Sequence, residues 1–278
     1  MARRPPGTTN TGAIDPLPAL ADLCGEEDLW LHADAAYGGA VLISPRGKTL
    51  LAGIERVDSL ALDRHKWLFQ PYEIGSVLVR DRGWLRETFA TTPEYLRNAA
   101  GVDEEPNFCE YGPQLTRSFR ALKLWMSLQV FGSQAFALAV ERGIELAEET
   151  ERMIRALPGW KVMTPAQLGI VTFRRAPDGL AAEEADALNE ALVSDLIADG
   201  FAMVSSTRLR GRVAATHVLR ELAHHGGGRP GYDMQAGGSG GGGVTPARRN
   251  VGQGGAAASP SGPSISVDSP FGVRRSTR

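Results

Sequence analysis

Two short apolar runs, each leading to a group with chemistry, constrain this chain more than any other feature of its sequence. Leu29-Trp30-Leu31-His32 runs into Ala33-Asp34, and Ser59-Leu60-Ala61-Leu62 runs through Asp63-Arg64 into His65-Lys66-Trp67. Apolar runs of this length with polar flanks have the pattern of strands. With the two strands as neighbours, a carboxylate and an amine stand at adjacent strand ends.

A lysine after a strand is most often a solvated turn residue. Beside an acid at a neighbouring strand end, however, it suits pyridoxal 5'-phosphate. The amine of Lys66 can hold the aldehyde as an imine. The carboxylate of Asp34 can keep the pyridine nitrogen protonated, so that the ring accepts electrons from a substrate's alpha carbon. His32 and Asp34 form an HxD pair, but no third ligand of suitable spacing follows, so His32 reads as structural and no metal site is expected.

The segments around these runs alternate in type. Asp15-Pro16 opens a helix with an acid at the N-cap and Pro at the first helical position, and Leu17, Leu20, Ala21 and Cys24 share one face. Ser44-Pro45 opens a second helical stretch to Leu50, 58–62 is the strand delivering Lys66, and 73–80 is a third strand. Residues 81–112 are mostly polar and keep no period, which predicts a long loop of the kind that serves as a lid. A helix over 115–129 should break at Gly132, with a second one capped by Ser133 over 134–156, both with apolar stripes to bury. Strands at 170–173 and 201–205 flank a helix over 182–199 carrying Leu188, Leu192 and Leu196 in register.

Composition narrows the class further. In 278 residues, 42% hydrophobic and 22% charged, there is material for a soluble globular protein of one large or two modest domains. Net charge is −2, which gives no footprint for nucleic acid. No apolar run reaches membrane-helix length. Cys24 and Cys109 are the only cysteines, which points to free thiols and a cytoplasmic location. From Gly226 onward the chain holds 15 glycines and six arginines against two aspartates. Such a segment buries too little surface to offset its ordering entropy, so 226–278 is expected to be a disordered tail.

Four strings carry a resemblance. Gly7-Thr8-Thr9-Asn10-Thr11-Gly12, His32-Ala33-Asp34-Ala35-Ala36-Tyr37-Gly38-Gly39, Asp63-Arg64-His65-Lys66-Trp67 and Pro93-Glu94-Tyr95-Leu96 closely resemble, in order and spacing, the group II pyridoxal-phosphate amino-acid decarboxylases. That family includes the aromatic-L-amino-acid and glutamate decarboxylases. The resemblance extends from about Gly7 to Arg212, and Val213 to His225 departs from the pattern, which would otherwise continue through another strand and a final helix.

The resemblance implies an α/β fold: part of a type I, aspartate aminotransferase-like large domain, then a small α+β domain and the tail. The corresponding boundaries are 1–111, which includes the mobile loop, 112–225 and 226–278. It implies that Lys66 and Tyr95 are catalytic, with Tyr95 protonating the alpha carbon after carbon dioxide has left. Lys66, Asp34, His65, Thr9 and Ala36 are implied to bind the cofactor, with Ala36 on the ring face and His65 helping to hold the phosphate or the cofactor's neighbourhood. Arg210 and Arg212 fall where the small domain begins its last strands. The implied function is decarboxylation of a small L-amino acid by a homodimer. The family normally carries a couple of hundred residues before the point matching Gly7, and no phosphate cup is found upstream of Asp34, so the chain is expected to be a truncated, C-terminal part. The alternative is a non-catalytic remnant that keeps only an oligomerisation surface.

Overall fold

Buried Leu31 and Ala33 place strand β2 (Leu31–Asp34) at the centre of a parallel arrangement, with β1 (Ala2–Arg4) on one side and β3 (Ser59–Asp63) on the other. Strand β4 (Gly75–Val79) closes the order β1-β2-β3-β4 and runs antiparallel to β3. The computed structural model describes residues 1–90, 106–200 and 203–218. Parallel strands need a crossover, and helix α1 (Leu17–Glu26) supplies the one between β1 and β2. Its Leu17, Ala21 and Cys24 are buried, the last two against Leu31. The helix begins one residue later than the sequence predicts, with Pro16 at the N-cap and no side-chain cap. Pro18 lacks an N–H that an Asp15 carboxylate would have bound.

Helix α2 (Pro45–Leu50) starts as expected, with the Ser44 hydroxyl accepting the Gly47 N–H at 3.0 Å. The single turn α3 (Arg64–Trp67) follows β3 directly. Over 81–112 the expected loop is corrected, because Arg82–Phe89 forms helix α4. Asp81 caps it by accepting the Gly83 N–H at 2.8 Å, and Trp84 packs on Trp30 with ring centroids 4.6 Å apart. Phe108–Tyr111 is a 3-10 turn. The expected lid tyrosine, Tyr95, lies outside the described residues, as does the 226–278 tail.

Helix α5 (Ala121–Ala156) contains the expected break at Gly132, whose φ of 75° is open to glycine and strained for other residues. It starts six residues later than predicted. Beyond the break, Phe136, Val140, Ile144, Ala147 and Ile154 are buried. Before it, Leu122, Trp125, Met126 and Val130 are exposed, so that half of the expected stripe meets solvent.

The second sheet has the order β5-β6-β8-β7 and is antiparallel throughout. Its strands are β5 (Trp160–Gln167), β6 (Ile170–Arg175), β7 (Ser205–Leu209) and β8 (Arg212–Val218). Helix α6 (Ala182–Asp199) matches its predicted bounds but buries Ala185, Asn189 and Val193, while Leu188, Leu192 and Leu196 are only half-buried. Three further expectations are corrected here. β5 forms where the sequence pattern predicts no element, the strand predicted over 201–205 begins at Ser205 as β7, and 213–218 belongs to β8.

One hydrophobic cluster joins the two sheets. Tyr37, Val41, Leu51, Trp67 and Leu68 from the first pack with Phe136, Val140 and Ile144 of α5 and with Leu168 and Ile170 of the second. No described helix is long and apolar enough to cross a membrane.

Candidate active site

The carboxyl ends of parallel strands are where open α/β sheets gather ligands, and β2 and β3 end side by side at Asp34 and Asp63. Their register sets Asp34 opposite Ala61. After Asp63 the chain turns at once into α3, and residues three apart on a helical turn face the same way. The Lys66 ammonium therefore reaches back to Asp63 Oδ2 at 2.8 Å.

Backbone atoms of Ala36 tie the two strand ends together. Its carbonyl accepts the Asp63 N–H at 3.1 Å, and its own N–H donates to Asp34 Oδ1 at 3.4 Å. Ala35 is fully buried and Ala36 half-buried, which keeps the surface beside the acid low. The other Asp34 oxygen, Oδ2, accepts from the Arg3 guanidinium of β1. That hydrogen bond holds the Asp34 carboxyl below the usual carboxylate range, against the opposing effect of partial burial.

His65 lies half-buried against the opposite wall. Its Nδ1 lies 3.1 Å from both the N–H and the carbonyl of Ile74, whose carbonyl also accepts the Arg64 N–H at 2.9 Å. Nε2 on the other side of the ring faces Asp63 Oδ2 at 4.0 Å. Tyr72 meets the same ring edge-on, centroids 5.0 Å apart.

Of the residues predicted from sequence, Asp34, Ala36, His65 and Lys66 are thus gathered at the ends of β2 and β3. Thr9 is exposed in the turn over 8–12, whose hydrogen bonds run through its neighbour Thr8: its hydroxyl contacts that of Thr11 at 2.9 Å and accepts the Ala13 N–H at 3.2 Å. His32 contacts Ser59 Oγ through Nδ1 at 2.8 Å, a partner within the sheet. Arg212 lies 3.7 Å from Glu183 on the second sheet's side.

Two charged members of the site were missed. Asp63 stands three residues before Lys66, a spacing that was visible and could have identified it. Arg3 offers no local signal, since it reaches Asp34 only through the pairing of β1 with β2.

Comparison with known proteins adds an independent line. A family model, the pyridoxal-dependent decarboxylase conserved domain, matches residues 5–176. An aromatic-L-amino-acid decarboxylase of Bacillus atrophaeus is 50% identical over 209 residues, covering 74% of this chain and 44% of that protein. A solved structure of Oryza sativa TDC with PLP and tryptamine has a TM-score of 0.74 at 31% identity, covering 78% of this chain and 46% of that one. Catharanthus roseus tryptophan decarboxylase in complex with L-tryptophan follows at TM-score 0.70 and 28% identity, with 78% and 44% covered. The chain spans less than half the length of these relatives.

Proposed function

As this chain belongs to the pyridoxal-dependent decarboxylase family, we propose that it carries the lysine and pyridine-nitrogen side of a pyridoxal-phosphate site for decarboxylating an L-amino acid. The observation that carries this reading is the placement of Lys66 and Asp34 at the ends of adjacent parallel strands. We take residues 1–111 as the part bearing the site and 112–225 as a second, C-terminal part.

The donor set fits the group. Lys66 is the amine that would hold the aldehyde, Asp34 the carboxylate that would hold the ring nitrogen, and Ala36 the small side chain that admits a flat ring. When bound, the cofactor supplies an electron-accepting ring for the bond to carbon dioxide. The chain's own residues supply position and charge. Asp63 fixes the direction of the Lys66 amine, and the Ala36 backbone sets Asp34 against Asp63. His65, oriented by Ile74, presents its Nε2 to Asp63. Tyr95 is our choice for the proton donor to the alpha carbon. The aromatic-L-amino-acid decarboxylase at 50% identity favours an aromatic substrate. The exposed apolar face of α5 supports a homodimer, and the two free cysteines support a cytoplasmic location.

Reduction with borohydride in the presence of pyridoxal phosphate, followed by peptide mapping, tests the reading. Label should concentrate on Lys66. An even spread over Lys48, Lys66, Lys123 and Lys161 would refute it. Carbon dioxide release from a panel of aromatic and acidic amino acids tests the reaction. The second reading, a remnant without catalysis, draws on Arg3 lying on Asp34 and predicts no release from any of them.

A further inference from the structure

We propose that Arg3 competes with the ring nitrogen of pyridoxal phosphate for Asp34, so that strand β1 governs how firmly this chain takes its cofactor. The proposal rests on the cofactor reading above and concerns a residue outside the motifs that led to it.

Position comes first. Arg3 pairs with His32 in the parallel ladder of β1 and β2, which places it two residues from Asp34 along the neighbouring strand. Among the described residues, β1 is a three-residue strand at the end of the sheet order, paired with β2. From there the Arg3 guanidinium donates to Asp34 Oδ2, while Oδ1 faces the Ala36 N–H. Both oxygens of the carboxylate are therefore engaged by donors of this chain.

Chemistry follows from the geometry. A protonated pyridine nitrogen is a planar N–H cation that needs a carboxylate oxygen in its own plane, and a guanidinium asks for the same thing. With Arg3 in place, the charge of Asp34 is shared, so a ring nitrogen beside it keeps its proton less firmly. Arg3 thus opposes both the hold on the cofactor and the ring's electron-accepting form.

Exposure decides whether this is a block or an exchange. The Arg3 side chain is 70% exposed and that of Asp34 27%. An arginine this open to water is free to swing out, and its attraction is screened, so the pair is weak and reversible. Asp34 stays where its strand holds it. His32 also acts on the Asp34 charge, with its Nδ1 2.8 Å from Ser59 Oγ.

The test uses the full chain as wild type, R3Q, D34N and the R3Q/D34N double variant. Pyridoxal phosphate is titrated in, the label fixed on Lys66 by borohydride is counted, and in cofactor-free protein the Asp34 carboxyl is titrated by carbon-13 NMR. R3Q should bind pyridoxal phosphate about two- to fivefold more tightly, the scale of a screened surface ion pair. It should also move the Asp34 titration to higher pH. In the D34N background the same substitution should change nothing. An Asp34 titration unmoved by R3Q, or equal affinity with Lys66 labelled in both proteins, would overturn the proposal and leave the cofactor reading standing. If the Asp34 titration moves but neither protein takes label on Lys66, the cofactor reading itself fails and the competition falls with it.

Discussion

The ring of Tyr37 lies flat on that of Trp67, with centroids 4.8 Å apart and planes within 1° of parallel. Tyr37 is three residues beyond Asp34, and Trp67 is the residue after Lys66. The stack therefore clamps together the two segments that carry the acid and the amine, deep in the cluster shared with α5. Aromatic pairs in offset contact add about 0.5–1.5 kcal/mol beyond the area they bury.

Trp67 is fully buried, and Trp67→Ala should destabilise the protein by about 3–5 kcal/mol, as truncation of a large core aromatic does. Its Nε1 has no hydrogen-bond partner among the described residues, so Trp67→Phe should cost distinctly less. Urea denaturation of both variants measures the difference, and equal losses would contradict the packing described.

Asp34→Ala should lower carbon dioxide release by about 100-fold in any preparation where release is detected, because one fixed charge at the ring nitrogen is worth a few kcal/mol. Asp34→Glu keeps the charge and should lose much less. Retained release in the alanine variant would remove Asp34 from the role assigned to it.

Asp63→Asn should reduce the yield of label on Lys66 by up to about fivefold, the range for a partly exposed ion pair, since the Lys66 side chain is 38% exposed and that of Asp63 28%. Circular dichroism should be unchanged. A yield equal to wild type would show that Asp63 does not orient the amine.

Acid should loosen the junction between α5 and β5 through Glu151. Burial pushes its carboxyl up, but the Ala166 N–H at 2.5 Å and Arg155 outweigh this and leave it below its ordinary value of 4.5. A carboxyl depressed by folding stabilises fully above the unfolded value, and the contribution disappears as pH falls through the folded one. Denaturation midpoints should therefore drop below about pH 4.5 more steeply in wild type than in Glu151→Gln. Parallel curves would contradict the assignment.

What sequence disclosed followed from how local each feature is. The 58–62 run was legible because Leu60, Ala61 and Leu62 form a short apolar run with polar flanks, although most of the strand they belong to is only half-buried. β5 was not, because Thr164, Pro165 and Gln167 break the apolar pattern. That composition is tolerated at a sheet edge, where Pro has no ladder bond to lose and where β5 slips register twice. α4 is two turns whose stability comes from Asp81 and from Trp84 meeting Trp30, a contact distant in sequence. Lys66 and Asp34 could be read from their motifs, whereas Arg3 became visible only with the pairing of β1 and β2.

The bridge made by Ala36 separates two tasks at a single residue. Its carbonyl and N–H align Asp63 and Asp34, and neither bond involves its methyl group. The side chain at 36 is thereby released from alignment. Exchanging that methyl for Ser or Val alters the bulk and polarity met by whatever lies over the acid, while the backbone continues to hold the two carboxylates in register. Position 36 is thus a place where evolution or an engineer can change the floor of the site without moving its walls.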